Sequence, residues 1–371
     1  MILRGINLGG WLIIEGWIIE LNRDLPEEKR IPDERTLWRI LERRFGSKGV
    51  KRLQHAYHDR WVNGDDFVRI KKAGFNFVRV NFWHEWLNHD KKPHVIDRKG
   101  WRYLDKAIAW GREQGLWVVL DLHGAPGSQN SWDHSGVVGR NELFKRKQFQ
   151  HRTVMLWREI ASRYKDEPAV LGYNLLNEPN GGTPEQVAEL HDGIYRAIRE
   201  VDTRHLIIME DGLHGLETMP HPDKYNWGDV AYSVHFYLFD ARSDEPHEKF
   251  ASAEVLRWRR QQMIFGVPLY VGEFNTIDPQ WGIDSVRRYV KAFEQWGWAW
   301  SPWTYKKIES GKTPSLWGLY RNEQRWRKHI DMYKASKRQI LRYFQHLETK
   351  NLQLNRRYLQ ALMDPAAGGE A

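Results

Sequence analysis

Short apolar runs alternate along the chain with longer amphipathic stretches. The runs are nearly continuous rather than alternating, which is typical of strands buried on both faces of a parallel sheet. They predict eight strands near Leu3–Leu8, Asn76–Phe82, Leu116–Leu122, Val170–Leu176, Leu206–Glu210, Val230–Tyr237, Leu269–Phe274 and Trp298–Trp303.

The stretches between these runs carry helix signals. Thr183 predicts an N-cap, followed by Pro184 at the first helical position and Gln186 at the third. Gly74 and Gly115 are expected to end helices over Asp65–Ala73 and Trp101–Gln114.

Eight strands with a helix after each predict an α/β fold of the (β/α)8 TIM barrel type. The rival is an open doubly wound sheet, which requires a glycine-rich phosphate turn between strand 1 and a helix. Here the glycines at Gly9-Gly10 precede Trp11-Leu-Ile-Ile rather than a helix start, so the sequence favours the barrel.

The barrel is predicted to span residues 1–325. Residues 326–371 are charged and helix-prone, and we expect them to form a helical extension packed on the barrel, with a short disordered tail over Ala366–Ala371. The apolar residues predicted to share one face of this extension are Ile340, Phe344, Leu347, Leu352 and Leu359.

Composition narrows the possible functions. The chain has 371 residues and no Cys, so disulfides and thiolate metal sites are excluded. Its net charge of +9 permits nucleic-acid binding, but the basic residues are interspersed with acidic ones, and we expect no nucleic-acid partner. No apolar run is long enough to predict a membrane span.

The start of the chain, Met1-Ile-Leu-Arg4-Gly5, lacks the pattern of a signal peptide. We therefore expect a cytoplasmic protein, or the mature form of a secreted one.

Polar groups end the predicted strands, where a barrel carries its chemistry. Two of them are carboxylates, Glu178 in Asn177-Glu178-Pro179 and Glu273 in Gly272-Glu273-Phe274. Charged groups at buried strand ends need partners, and a converging pair of carboxylates can cleave a glycosidic bond. The other candidates are Arg79, His123, Asn177, His235, Tyr237 and Trp303.

These residue types suggest roles. A retaining glycosidase needs a carboxylate nucleophile that stays ionised, for which Arg79 and Tyr237 are suitable neighbours. It also needs an acid that stays protonated, which a less polar setting and the second carboxylate favour. The 20 Trp residues, several beside polar loop residues, provide flat faces on which a pyranose can stack.

The motifs resemble those of glycoside hydrolase family 5. The matching stretches are Phe75-Asn-Phe-Val-Arg79, Leu120-Asp-Leu-His123-Gly, Asn177-Glu178-Pro179, His235-Phe-Tyr237, Gly272-Glu273-Phe274 and Trp303. The resemblance implies a retaining β-glycosidase with Glu178 as acid/base and Glu273 as nucleophile. It also implies that the sugar subsite next to the cleaved bond is lined by Arg79, His123, Asn177, His235, Tyr237 and Trp303.

Two further segments resemble the fungal exo-β-1,3-glucanases, namely Arg4–Trp17 and Asp121–Asp133. This resemblance implies that Glu15 and Asp133 grip the terminal glucose and close the site, and that Trp132 stacks on the next sugar. The loops Asn275–Gly282 and Lys306–Trp317 depart from that group, which leaves the linkage and the leaving group open.

The expected function is thus an exo-acting β-glucanase or β-glucosidase acting on a β-linked oligosaccharide or glucoside, without cofactor or metal. The alternatives are an endo-acting cellulase or mannanase, a glucosidase acting on a glycolipid, and a non-catalytic carbohydrate-binding protein. A metal centre at Asp121, His123 and His235 is disfavoured because these residues lack a recognisable ligand motif.

Overall fold

The fold is a barrel of eight parallel strands. The computed structural model describes residues 2–22, 25–93, 95–97, 100–241, 243–276, 281–309, 316–322 and 330–365. The barrel strands are β1 (Gly5–Asn7), β2 (Phe77–Trp83), β3 (Trp117–Gly124), β4 (Val170–Asn174), β5 (Leu206–Glu210), β6 (Val230–Phe236), β7 (Leu269–Phe274) and β8 (Ala299–Trp300).

Neighbouring strands pair in chain order, and the ring closes between its first and last members. Arg4 bridges to Trp300 in parallel register, and the Trp300 amide donates to the Leu3 carbonyl at 3.1 Å. The predicted (β/α)8 barrel is confirmed, and the open doubly wound sheet is excluded.

Helices surround the strands. They are α1 (Glu34–Trp61), α2 (Gly64–Lys72), α3 (Trp101–Gln114), α4 (Lys147–Tyr164), α5 (Pro184–Arg199), α6 (Asp244–Phe265), α7 (Gly282–Gln295), α8 (Lys337–His346) and α9 (Arg356–Met363). Among the described residues, no helix is both long and apolar enough to cross a membrane.

Helix boundaries follow local chemistry. Thr183 and Gln186 form the predicted capping box at the start of α5, an arrangement that stabilises a helix by about 1 kcal/mol. Gly115 ends α3 with φ of 60°, in the left-handed region that glycine enters without a Cβ clash.

The prediction of a helix after every strand is wrong at one place. The fully described connection 211–229 between β5 and β6 holds two single-turn 3-10 helices, Leu216–Thr218 and Pro222–Lys224, rather than an α-helix. Pro220 and Pro222 explain this, because proline lacks an amide hydrogen and restricts the residue before it.

The barrel has two cores. Phe77, Val119, Ile208, Ala231 and Tyr270 come from five different strands and form a buried cluster of their own, as expected for the filled interior of a barrel. A much larger apolar core lies between the strands and the surrounding helices.

The C-terminal segment is less continuous than predicted. Its helices α8 and α9 are separated by β11 (Gln353–Leu354), which pairs with β10 (Tyr320–Arg321); β10 in turn pairs with β9 (Lys306–Lys307). Four of the five residues predicted to share an apolar face are buried, whereas Leu359 is half-buried. The predicted boundary at 325/326 and the tail 366–371 lie outside the described residues.

Candidate active site

The two glutamates singled out from the sequence lie close together. Glu273 is the penultimate residue of β7, and Glu178 follows the end of β4 by four residues. A carboxylate oxygen of each lies within 4.8 Å of the other. His235 is positioned between them, with Nδ1 2.6 Å from Oε1 of Glu178 and 3.7 Å from Oε2 of Glu273.

Both carboxylate oxygens of Glu273 are held by hydrogen bonds. Nη1 of Arg79 donates to Oε1 at 2.8 Å, and the Tyr237 hydroxyl donates to Oε2 at 2.9 Å. Burial and the neighbouring Glu273 raise the pKa of Tyr237 well above its ordinary value, so its hydroxyl keeps the proton that it donates. The structure therefore contains both contacts that the sequence suggested for this carboxylate.

Arg79 is the centre of a buried ionic network beneath the two glutamates. Besides Glu273, Nη2 lies 3.0 Å from both Asp121 Oδ1 and Glu210 Oε1. Burial alone lowers the pKa of a guanidinium, but these three carboxylates raise the pKa of Arg79 above its ordinary value. Arg79 is fully buried in β2 and reaches the site through its hydrogen bond to Glu273.

Three asparagine oxygens complete the hydrogen bonds of the guanidinium. Asn7 Oδ1 accepts at 3.0 Å, Asn174 Oδ1 at 2.8 Å and Asn177 Oδ1 at 2.9 Å. These contacts fix the side-chain amide of Asn177, which directly precedes Glu178.

The protonation of Glu178 differs from the sequence expectation. Burial raises its pKa, but the hydrogen bond with His235 and the nearby His134 outweigh this and hold the pKa below its ordinary value. Burial lowers the pKa of His235, yet Glu273 and Glu210 raise it well above its ordinary value. Both directions favour a protonated His235 beside an ionised Glu178, joined by one hydrogen bond.

His123 and Trp303 form a second wall of the site. The two rings stack in parallel, with centroids 5.1 Å apart and 10° between planes. Nδ1 of His123 lies 2.7 Å from Oδ2 of Asp121, which fixes the imidazole and joins this wall to the Arg79 network.

Carboxylates from two loops lie opposite this wall. Glu15 comes from the loop after β1, and its Oε2 accepts from Trp17 Nε1 at 2.9 Å, while its buried Oε1 has no hydrogen-bond partner among the described residues. Burial and the neighbouring Asp133 raise the pKa of Glu15 well above its ordinary value, and burial also raises that of Asp133. Beside them Trp132 is 41% exposed.

These groups enclose a cavity of about 950 Å³ at the carboxyl ends of the strands. The predicted residues that line it are Glu15, His123, Trp132, Asp133, Glu178, His235, Tyr237, Glu273 and Trp303. Arg79 and Asn177 lie behind this lining, where they bond to each other.

The sequence argument missed several residues of the site. Glu210 is one of them. It is the last residue of the apolar strand β5, a position similar to that of Glu273, the penultimate residue of β7. Phe239 and Trp317 are others; their rings stack on Tyr237 at centroid distances of 5.1 and 5.6 Å. Phe239 is 55% exposed, so this aromatic face extends the cavity outward.

The side chains of Glu178, His235 and Glu273 also have the types and proximity of metal ligands. Their ligand atoms are engaged with one another, with Tyr237 and with Arg79, and the buried guanidinium opposes a bound cation. This chemistry suits proton transfer and attack by a carboxylate better than metal binding.

Comparison with known proteins identifies the family. The family model described as cellulase, glycosyl hydrolase family 5, matches residues 44–308. The chain belongs to glycosyl hydrolase family 5. This agrees with the resemblance drawn from the motifs and covers most of the barrel.

Curated relatives of the chain include proteins named as glucan 1,3-beta-glucosidases. Glucan 1,3-beta-glucosidase 2 of Schizosaccharomyces pombe is 32% identical over 64% of this chain and 42% of its own length. Probable glucan 1,3-beta-glucosidase A of Aspergillus fumigatus is 35% identical over 64% of this chain and 56% of its own. The chain thus spans about half the length of the curated relatives it matches.

A solved structure shares the fold. The endoglucanase Cel5A from Thermotoga maritima superposes with a TM-score of 0.65 over 97% of both chains, at 21% identity.

Proposed function

We propose that this protein is a retaining β-glycosidase that releases glucose from the non-reducing end of a β-linked oligosaccharide or glucoside. The observation that carries the proposal is the proximity of Glu178 and Glu273, whose carboxylate oxygens lie within 4.8 Å. Retaining enzymes hold their two carboxyl groups about 5–5.5 Å apart, whereas inverting enzymes leave room for a water at about 6.5–9.5 Å.

The different partners of the two glutamates support different roles. Glu273 is proposed to attack the anomeric carbon, since Arg79 and Tyr237 fix both of its oxygens. As the glycosidic bond breaks, Glu178 gives a proton to the leaving oxygen. A water then loses a proton to Glu178 and attacks the anomeric carbon, which frees Glu273 and yields a sugar of unchanged configuration.

Glu178 is proposed to obtain the proton that it donates from its hydrogen bond with His235. Because this imidazole lies 2.6 Å from Glu178, transfer to the carboxylate needs only a small displacement along an existing hydrogen bond. A bound sugar that excludes water and covers both carboxylates favours the protonated form of Glu178.

The remaining pocket residues are proposed to bind the terminal sugar. Trp303 and His123 are assigned to one face of the ring and Trp132 to the next sugar. Asn177, which lies behind the lining with its Oδ1 bonded to Arg79, is assigned to the 2-hydroxyl because of its place in the Asn177-Glu178-Pro179 motif. Glu15 and Asp133 are assigned to the hydroxyls at the closed end, because the buried Oε1 of Glu15 lacks a partner among the described residues and the raised pKa of each carboxyl favours its protonated form. Such a pair can both donate to and accept from hydroxyls.

This assignment predicts which products form. On a panel of laminari-, cello-, manno- and gentio-oligosaccharides with aryl and lipid β-glucosides, the glucose-containing substrates should release glucose from the non-reducing end from the start. Galactosides and mannosides should react much more slowly, because an inverted hydroxyl leaves buried polar groups of the site unpaired. The preferred linkage and leaving group are read from the same panel by chromatography of the early products.

Glu15→Ala tests the closed end of the pocket in the same assay. The variant should lose about 1–3 kcal/mol of transition-state stabilisation in kcat/KM for each charged hydrogen bond left unmade. Glu217→Ala, an exposed glutamate on the β5–β6 connection, is the control. Early release of mixed longer oligosaccharides, with full activity in Glu15→Ala, would instead indicate an open cleft and endo action.

A further inference from the structure

Glu210 is a third buried glutamate of the site, and the glycosidase chemistry described above does not use it. It ends β5 and is 2% exposed. Its Oε1 accepts hydrogen bonds from Arg79 Nη2 and Asn174 Nδ2, both at 3.0 Å. Its Oε2 is directed instead toward Glu178 and His235.

Glu210 fixes the main chain of Glu178. The Glu178 amide donates to Oε2 of Glu210 at 2.7 Å. Glu178 has φ of 43°, in the left-handed region that residues with a Cβ rarely adopt. A conformation of this kind persists only where the surroundings hold it, and the carboxylate of Glu210 supplies one such contact.

The same oxygen also faces the imidazole that protonates Glu178. Oε2 of Glu210 lies 3.5 Å from Nε2 of His235, while Nδ1 of His235 is 2.6 Å from Oε1 of Glu178. The imidazole therefore lies between Glu178, hydrogen-bonded at Nδ1, and Glu210, which faces Nε2 as an ion-pair partner without a hydrogen bond. A carboxylate at Nε2 favours the doubly protonated ring, which is the form that carries a transferable proton.

We propose that Glu210 is a positioning residue for the acid step, which holds the main chain of Glu178 and, through His235, retains the proton that Glu178 delivers. The inference rests on the proposed glycosidase function and assigns to Glu210 no contact with the substrate.

Other ionisable groups also face Glu210 and the Glu178–His235 pair, and they influence the pH at which the pair titrates. Around Glu210 they are Arg79 from β2, Asp121 from β3, His191 from α5 and the adjacent Asp211. Glu273 from β7 faces His235, and His134 from the loop after β3 faces Glu178 at 3.4 Å. Burial lowers the pKa of His191 to about 4 and raises that of Asp211 to about 6, so neither changes charge in the alkaline range. A shift of the alkaline transition in a Glu210 variant therefore does not come from His191 or Asp211.

Glu210→Gln tests the proposal because it keeps the shape and an acceptor but removes the charge. Without that charge the Glu178–His235 pair binds its proton less tightly. The alkaline limb of the kcat/KM profile should move to lower pH by about one pH unit or more for an oligosaccharide substrate. A dinitrophenyl β-glucoside, whose leaving group needs no protonation, should show a much smaller change in kcat/KM at the same pH.

The matched control is Asp202→Asn. Asp202 Oδ2 lies 2.6 Å from Nδ1 of His205. This carboxylate–imidazole pair precedes β5, whereas Glu210 is the last residue of that strand. This variant should retain the wild-type pH profile. Glu210→Asp, which keeps the charge, should retain the alkaline limb closer to its wild-type position than Glu210→Gln does.

An alkaline limb that stays in place in folded Glu210→Gln would overturn the proposal. If that variant fails to fold, nitrogen NMR of the wild-type protein decides, with the signal assigned through His235→Gln. His235 should then be doubly protonated above pH 7, and a neutral ring at that pH would overturn the proposal. Failure of the proposed function can be distinguished from failure of this proposal. If the wild-type protein hydrolyses no glycoside, the proposed function is wrong, but the NMR titration of His235 can still be measured.

Discussion

Glu273→Gln is expected to abolish turnover of every substrate, activated aryl glucosides included. The amide cannot form the covalent bond to the anomeric carbon, and removal of a catalytic nucleophile costs on the order of 10⁴- to 10⁶-fold in rate. Initial rates with an oligosaccharide and a dinitrophenyl β-glucoside measure the loss.

A second Glu–Arg pair provides the control for this substitution. Glu294 at the end of α7 bonds Arg4 at 2.7 Å and does not line the cavity. Glu294→Gln removes the same charge from a comparable pair and should leave kcat near the wild-type value. Substantial activity in Glu273→Gln on either substrate would show that another group is the nucleophile.

Glu178→Ala should fail in a different way. For an oligosaccharide, loss of the proton donor should lower kcat by about 10²- to 10⁴-fold. A dinitrophenolate leaves without protonation, so the first step survives with that substrate and the glycosyl-enzyme accumulates. A burst of dinitrophenol followed by a slow steady state is the expected trace in stopped-flow absorbance.

Azide should restore the second step in Glu178→Ala. The small anion fits the space left by the side chain and needs no general base, so turnover of the aryl glucoside should rise and the product should be a β-glycosyl azide. Rescue of the Glu273 variant with formation of a β-glycosyl azide, or of Glu178→Ala with formation of an α-glycosyl azide, would reverse the two roles.

The barrel was predictable because its strands are continuous apolar runs. The run Leu269–Phe274 coincides with β7, and the capping box at Thr183 set the start of α5. The small sheet of β9, β10 and β11 was not predicted, since strands of two residues carry no periodicity. Residues 326–371 are predicted to be a helical extension because Ile340 to Leu347 has helical spacing. The sequence pattern does not show that Asn355 caps a separate helix, α9.

Site residues were predictable where a motif or a strand end marked them. His235 and Tyr237 were predicted from their place at the end of a strand, and both contact the paired glutamates. Glu210 was overlooked even though the run Leu206–Glu210 ends in a carboxylate, because nothing in the sequence pairs it with Glu178. The hydrogen bond between them spans 32 positions and arises only when β4 and β5 lie side by side.

The charge state of Glu178 was the least predictable property. From the sequence, burial and a second carboxylate were expected to keep it protonated. The structure adds His235 at 2.6 Å, itself held by Glu210 and Glu273, and this contact lowers the pKa of Glu178. A pKa depends on distances of a few ångströms between residues far apart in sequence, and residue types alone do not supply them.

The stereochemistry of the first-formed product tests the central claim most directly. Proton NMR of the anomeric region, recorded in the first minutes of hydrolysis before mutarotation, distinguishes the two sugar anomers. Double displacement through Glu273, with Glu178 as acid and base, predicts that a β-glucoside yields β-glucose first. Initial appearance of α-glucose would contradict this mechanism and require a single displacement by water.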